Sequence, residues 1–266
     1  MLSRSDIEAA AGALVEAERS GAQTGLLSVR HPQITLDDAY AIQAAFIKRK
    51  LATGRRVVGC KIGLTSRVMQ EALGIDTPDS GVLLDDMAFA DGATVPAGRF
   101  IQPRIEAEIA FIMKSVLEGE VTREEVIAAT ESVVPSLEIL DTRILRKDPQ
   151  TGAARKIFDT VADNAANAGF VLGSQRHSPE TLDLRWAGVI LKRDGEVVAT
   201  GLGAGVLDDP VTALIWLSRR LASVGQRIET GQVVLSGSFI SPVECPPGTR
   251  IDADFGTFGS IAIGFE

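Results

Sequence analysis

Three features of the sequence predict an α+β fold, a largely β core with helices on its outside. From Val57 onward the chain is a succession of short apolar, β-branched runs cut by glycine, proline and aspartate. Helical periodicity is confined to the amino-terminal stretch and two later segments. The strand-like runs and helices do not alternate regularly, which argues against a doubly wound parallel sheet.

Taken in order, Ser5 and Glu8 stand at capping-box spacing, and Ile7, Ala10, Ala11, Leu14 and Val15 recur with helical period, predicting an amphipathic opening helix. Thr35 caps a second predicted helix over Leu36–Leu51. Ala39, Ile42 and Phe46 lie on one side of it, Lys48–Lys50 near its negative end, and Gly54 acts as a stop. These helices make residues 1–56 an expected amino-terminal helical region, with residues 57–266 as the β domain. Strands are predicted in 57–63, 81–84, 104–113, 132–140, 186–201, 232–237 and 259–265, and Asp194-Gly195 marks a hairpin turn. Thr122 with Glu125 forms another capping box, and Asp209-Pro210 supplies an N-cap and a first-turn proline for the last helix.

The 266 residues suffice to bury a core without staples, and only Cys60 and Cys245 are cysteines, far apart and without a CxxC neighbour. A reducing, cytoplasmic setting is expected. The opening MLSRSDIEAA has no leader-like apolar run, and no segment approaches a membrane span. A net charge of -8 argues against nucleic acid as a partner. His31 and His177 are the only histidines and neither sits in a recognisable motif, which disfavours a zinc site or a serine triad. Any metal is therefore expected to be held by oxygen. Gly201, Gly203 and Gly205 imitate a phosphate loop, but Val206 stands at the third fingerprint position, so close strand packing is the expected use of these glycines.

The segment Arg104–Phe111 is the most informative. As a strand it turns Ile105, Ala107, Ile109 and Phe111 to one face and Glu106 and Glu108 to the other, with the glutamate Cα atoms roughly 6.5 Å apart. Alternating glutamates ordinarily face water on a half-exposed strand. Glu138, however, lies between Leu137 and Ile139 in another apolar run, where a carboxylate is costly unless paired or coordinated. A hard divalent cation, Mg2+ or Mn2+, resolves the repulsion among three such acids. Lys61, after an apolar strand start, is a candidate proton carrier whose pKa burial would lower, set against a strand-edge lysine facing solvent. Asp79, in the predicted turn of residues 76–81, is a second candidate, set against a purely turn-shaping role. Asp85-Asp86 reads as a solvated turn.

The blocks Gly59–Ser66, Pro103–Glu108, Leu137-Glu138 and Asp159–Ala165 resemble the signatures of the hydratase/decarboxylase branch of the fumarylacetoacetate hydrolase superfamily, as do Gly237-Ser238-Phe239 and Phe255–Ser260. The resemblance covers essentially the whole chain. It implies a mixed β-roll with an amino-terminal helical region, a homo-oligomer (pentamer or decamer), and Glu106, Glu108 and Glu138 as ligands of magnesium or manganese. It also implies a small-molecule substrate, an unsaturated 2-oxo acid from aromatic ring breakdown. The extended basic stretch of residues 141–160 resembles the members that hydrate 2-oxohept-4-ene-1,7-dioate to 4-hydroxy-2-oxoheptanedioate. Thr65, Ser66, Asn164 and Ser238 are then expected near the substrate, and Arg143, Arg155 or Lys156 at its distal carboxylate. Hydration of 2-oxopent-4-enoate, decarboxylation of 4-oxalocrotonate and a non-catalytic partner subunit are the alternatives. A carbon-carbon hydrolase needs a His-Glu pair that the sequence does not place.

Overall fold

The computed structural model describes residues 1–67, 70–71, 75 and 77–266. Two sheets and a helical layer make up the described chain. The larger sheet runs β2 (Asp79–Leu84), β1 (Val57–Gly63), β10 (Val233–Leu235), β5 (Arg104–Met113), β6 (Thr130–Leu140), β7 (Asn167–Leu172) and β3 (Ala88–Phe89), with β11 (Val243–Glu244) also paired to β5. The smaller runs β4 (Thr94–Val95), β13 (Ser260–Phe265), β12 (Arg250–Asp254), β8 (Gly188–Arg193) and β9 (Glu196–Leu202). The β8–β9 turn is Asp194-Gly195, with φ of 54° and 88°, the left-handed pair a tight hairpin requires.

Helix α1 (Arg4–Ser20) begins two residues earlier than the sequence suggests: Ser3, not Ser5, is the N-cap, and Asp6 returns the reciprocal bond to its backbone. The motif tolerates aspartate in the glutamate's place because both carboxylates reach the cap N–H. A helical turn α2 (Leu27–Arg30) precedes α3 (Leu36–Leu51), which Thr35 caps as expected. Helix α4 (Arg123–Ala129) follows Thr122, a short α5 (Ile157–Ala162) precedes β7, and α6 (Pro210–Ala222) follows Asp209. No described helix is long and apolar enough to cross a membrane.

Strand register divides the apolar residues into two cores. Ile62, Ile105, Ala107, Ile109, Phe111, Leu137 and Ile139 face the small sheet, whose Leu191, Ile251, Ile261 and Ile263 complete the first core. The opposite face carries Leu83, Ala110, Val134, Phe170 and Leu235, packed against Leu14, Leu27, Ile42 and Phe46 of the helices. Polar ties fasten that second layer: the Gln43 amide donates to Ser80 O and Val161 O at 2.9 Å each, and the Ser28 hydroxyl donates to Asp159 at 2.6 Å. Both faces of the middle of β5 and β6 are covered, so Glu108 and Glu138 are buried and Glu106 partly so, while Glu131 at the start of β6 remains exposed.

Candidate active site

Antiparallel pairing sets Glu106 directly opposite Glu138 and Glu108 opposite Ser136, so these side chains share the helix-covered face. One oxygen from each of Glu106, Glu108 and Glu138 lies within 4.8 Å of the others. Glu108 and Glu138 are fully buried and Glu106 partly so. The chain orients these acids before any ion arrives. Gly237 N–H donates to Glu108 Oε2 at 2.8 Å, Asn167 Nδ2 donates to Glu138 Oε1 at 2.8 Å, and Lys61 Nζ stands 3.2 Å from that same oxygen. The remaining oxygens, Glu108 Oε1 and Glu138 Oε2, are buried without a hydrogen-bond partner.

Gly237 has the left-handed φ of 107°, and a Cβ there would sit 2.3 Å from Thr65 Oγ1. Only glycine lets this loop, which interrupts pairing along the β5 edge between β10 and β11, bring its N–H to Glu108.

Burial and then the charge of Glu138 push Glu106 up to about 8, and the same two causes hold Glu108 well above the ordinary carboxylate range. A group of anionic oxygens that repel one another, with unsatisfied lone pairs aimed inward, fits a hard divalent cation such as Mg2+ or Mn2+. Among the described residues no sulfur or imidazole joins the group.

Lys61 and Asp79 meet on the same face, because β1 pairs with β2 so that Gly63 faces Asp79 and Lys61 faces Gly81. Lys61 Nζ donates to Ala165 O at 3.0 Å. Burial by itself would lower the lysine's pKa, as the sequence suggests, but Glu138, Asp79, Glu106 and Glu108 outweigh it and raise the value, so Lys61 is an ammonium. For Asp79, burial prevails over the attraction of Lys61 and lifts it to about 6. Its Oδ1 is buried and unpartnered. A Cβ at Gly63 would lie 2.3 Å from that oxygen and 3.0 Å from Lys61 Nζ, so glycine is required for this approach. Asp79 thus opens a buried strand instead of shaping a turn, while Asp76 of the expected turn lies outside the described residues.

A left-handed turn supports Lys61 and Glu138. Asn164, Ala165 and Ala166 have φ of 53°, 51° and 60°, a conformation that costs a non-glycine residue roughly 1–2 kcal/mol. The turn aims Ala165 O at Lys61 and delivers Asn167 to Glu138.

The other sequence-derived candidates divide. Thr65 is buried against the Gly237 loop, and Ser66 is partly buried with its carbonyl accepting from Gln70 N–H. Arg155 is partly buried, donates to Thr142 Oγ1 at 2.7 Å, and exerts its charge on Asp79. Lys156 is exposed at the start of α5. Arg143, expected at a substrate carboxylate, is instead an internal strut. Its guanidinium pairs with Asp163, donates to Asp163 O at 2.9 Å and Asn167 O at 2.8 Å, and lies 3.5 Å from Glu18. Asn164 is bonded through both side-chain polar atoms to the Val82 backbone, and Ser238 closes a local turn with Ile240. These side chains therefore support loops instead of presenting free groups. Asp85 and Asp86, read as a solvated turn, pair with Arg56 and Arg55. Gly201 and Gly203 serve close packing: a Cβ at either would lie within 2.0 and 2.1 Å of a carbonyl oxygen.

Asn167 and Gly237, which orient the triad, were not among the sequence candidates; the Gly237-Ser238 block was a signal for the second, but nothing local marks Asn167.

The chain is 45% identical over 253 residues to a 2-oxo-hept-4-ene-1,7-dioate hydratase of Escherichia coli, covering 95% of each protein. It is 43% identical over 260 residues to a 2-keto-4-pentenoate hydratase of Paraburkholderia xenovorans, covering 97% of this chain and 94% of that one. Among solved structures it superposes with a TM-score of 0.93 and 34% identity on 4-oxalocrotonate decarboxylase from Pseudomonas putida G7 complexed with magnesium and adipate, covering 100% of this chain and 99% of that one. No family model matches the chain.

Proposed function

The chain belongs to the hydratase/decarboxylase branch of the fumarylacetoacetate hydrolase superfamily, and on that premise we propose that it is a metal-dependent hydratase of an unsaturated 2-oxo dicarboxylate. The substrate assigned is 2-oxohept-4-ene-1,7-dioate, reached from its 2-hydroxy-2,4-diene form, and the product is 4-hydroxy-2-oxoheptanedioate. The observation that carries the reading is the placement of Glu106, Glu108 and Glu138 on one buried face with Lys61 and Asp79. The magnesium or manganese ion held by the three glutamates would supply Lewis-acid polarisation to the 2-oxo group.

The chain's own residues then divide the proton work. Asp79, lifted to about 6, both donates and accepts protons near neutrality, which suits delivery to carbon 5 of the dienol and removal from the water that adds at carbon 4. Lys61 keeps its proton and offers a fixed positive charge where negative charge develops on the substrate. The helical layer over this face excludes bulk water and strengthens both effects. Thr65, packed against Gly237, and the Gly237-Ser238 loop stand beside Glu108.

Incubating the purified protein with mono- and dicarboxylic dienols, with magnesium and with chelator, tests the reading. Hydroxylated product from the seven-carbon diacid, dependent on metal and lost in Asp79→Asn, is expected. Carbon dioxide release from 4-oxalocrotonate in its place would make the chain a decarboxylase, and no turnover of any of these substrates would leave a non-catalytic partner.

The assembly proposed is a homo-oligomer, a pentamer or decamer in the cytoplasm. Exposed Trp186, Ile190, Val197 and Leu202, on and beside the small sheet, support an associating surface. A light-scattering mass equal to one chain of 28.2 kDa would refute it.

A further inference from the structure

Arg104 is a charged side chain on the triad's own face that the chemistry above leaves without a task. It stands one side-chain repeat before Glu106 on β5, roughly 6.6 Å along the strand. The residue is partly buried, its Nε is shielded from solvent and has no hydrogen-bond partner, and its guanidinium makes no hydrogen bond or ion pair with any described residue.

The acids within reach are engaged elsewhere. Glu244 lies opposite Arg104 in register, yet its carboxylate is held by Arg146 at 2.6 Å. Asp141 accepts the backbone N–H groups of Ile101 and Gln102 at 2.8 Å each, and Glu106 belongs to the triad. The positive charges of Arg146 and Arg155 also bear on Arg104. A partly buried guanidinium whose Nε is cut off from water, unpaired and beside like charges, is costly unless an anion arrives from outside the chain. A carboxylate is the shape its planar donor fork matches.

We propose that Arg104 is a specificity-determining residue that receives the far carboxylate of a dicarboxylate substrate whose 2-oxo end lies at the glutamate triad. The inference rests on the proposed 2-oxo acid chemistry and adds the residue that selects a diacid. Arg155, whose charge reaches both Asp79 and Arg104, flanks the subsite between the proton-handling end and the distal end. The alternatives are less suited: Arg143 is bonded within the fold, and Lys156 is exposed with a backbone N–H tied to Asp159.

Two measurements on wild type, Arg104→Gln and Arg104→Lys test the assignment, with circular dichroism verifying the fold of each. The first is the ratio of kcat/KM for the seven-carbon dienedioate to that for the five-carbon dienoate. The second is calorimetric affinity for adipate against hexanoate at saturating Mg2+. Arg104→Gln should reduce both diacid preferences by about 10- to 100-fold, the range for losing a charge-assisted bond, chiefly through KM. Arg104→Lys, which keeps charge but loses the fork, should recover part of the loss. Diacid preferences that stay within about threefold of wild type in both variants would overturn the proposal, as would a wild-type protein that binds adipate no better than hexanoate. If Arg104→Gln does not fold, Arg104→Lys carries the test alone, with a loss of about threefold or more expected and an unchanged preference refuting it. Should wild type turn over no dienol, the catalytic reading fails while the adipate comparison still decides the role of Arg104.

Discussion

Along β5, Ile105, Ala107, Ile109 and Phe111 sit in the core between the two sheets, while Arg104, Glu106 and Glu108 extend from the opposite face of the same strand, the face on which Ala110 joins the core under the amino-terminal helices. The first face is held by non-directional burial, roughly 1.5–3 kcal/mol for each large side chain. The second face opposes folding: it removes carboxylates from water, sets them against one another and raises their pKa values. Its geometry is maintained by Asn167, Lys61 and the Gly237 backbone, and by the hydrophobic contacts on the other side of the strand. Stability and chemistry are thus separated by one residue along the chain, and changes on the two faces should have opposite signatures.

The largest expected effect is on the even-numbered face. Glu108→Gln should lower kcat/KM by about a thousandfold and abolish the Mg2+-induced rise in Tm, because a ligand charge is lost from the triad. It should also raise the Tm of the metal-free protein near neutral pH, since a neutral amide of the same shape avoids the cost of holding a buried carboxyl beside Glu138 and Glu106 protonated far above its unfolded pKa. A metal-free Tm that falls would show that Glu108 stabilises the fold and would erase the contrast.

Ile109→Ala should do the reverse, destabilising by about 2–5 kcal/mol in denaturant unfolding through the cavity it leaves. Mg2+ affinity measured by calorimetry should change less than about threefold. A coupled loss of metal affinity would mean that the two faces are not energetically separate.

The smallest effect sharpens the comparison through pH. Glu106 moves from 4.5 to about 8 on folding, so between those values the folded metal-free chain binds more protons than the unfolded chain. Stability from this group therefore falls as pH rises across that window. Mg2+ competes with the protons for the same oxygens, so its stabilisation should grow with pH, reaching roughly 5–10 °C in Tm at about a hundred times Kd. Scanning calorimetry that finds the same Mg2+ shift at pH 6 and at pH 8 would contradict the raised carboxylate.

Much of this arrangement is legible in the residues because its determinants are local. The alternation in Arg104–Phe111, the lone acid in Leu137-Glu138-Ile139, the Thr35 and Thr122 caps and the Asp194-Gly195 turn each follow from strand, helix or turn geometry within a few residues. The misplaced first cap shows the limit of such spacing, for Ser3-Asp6 and Ser5-Glu8 satisfy the same rule. Alternation also leaves the water-facing reading of Glu106 and Glu108 open. The second face of the sheet is covered by helices from the far end of the chain, a long-range contact with no signature in the strand itself.

What the sequence determined by itself is therefore the helices capped by Thr35, Thr122 and Asp209, the strands β1, β5, β6 and the β8–β9 hairpin, the three acids, and the shared side of Glu106 and Glu108 on β5, because strand periodicity and charge cost are properties of short segments, whereas β7, β12 and the register that brings Glu138 to Glu106 were not legible there. Tertiary structure alone decided that Arg143 is an internal strut and Arg104 is unpaired, that Lys61 is an ammonium, and that Asn167 reaches Glu138 through a left-handed turn. The physical reason is that each outcome depends on which distant group occupies the next few ångströms. At that range charge pairing, burial and hydrogen bonding fix a side chain's state, and residue type sets only what it is able to do.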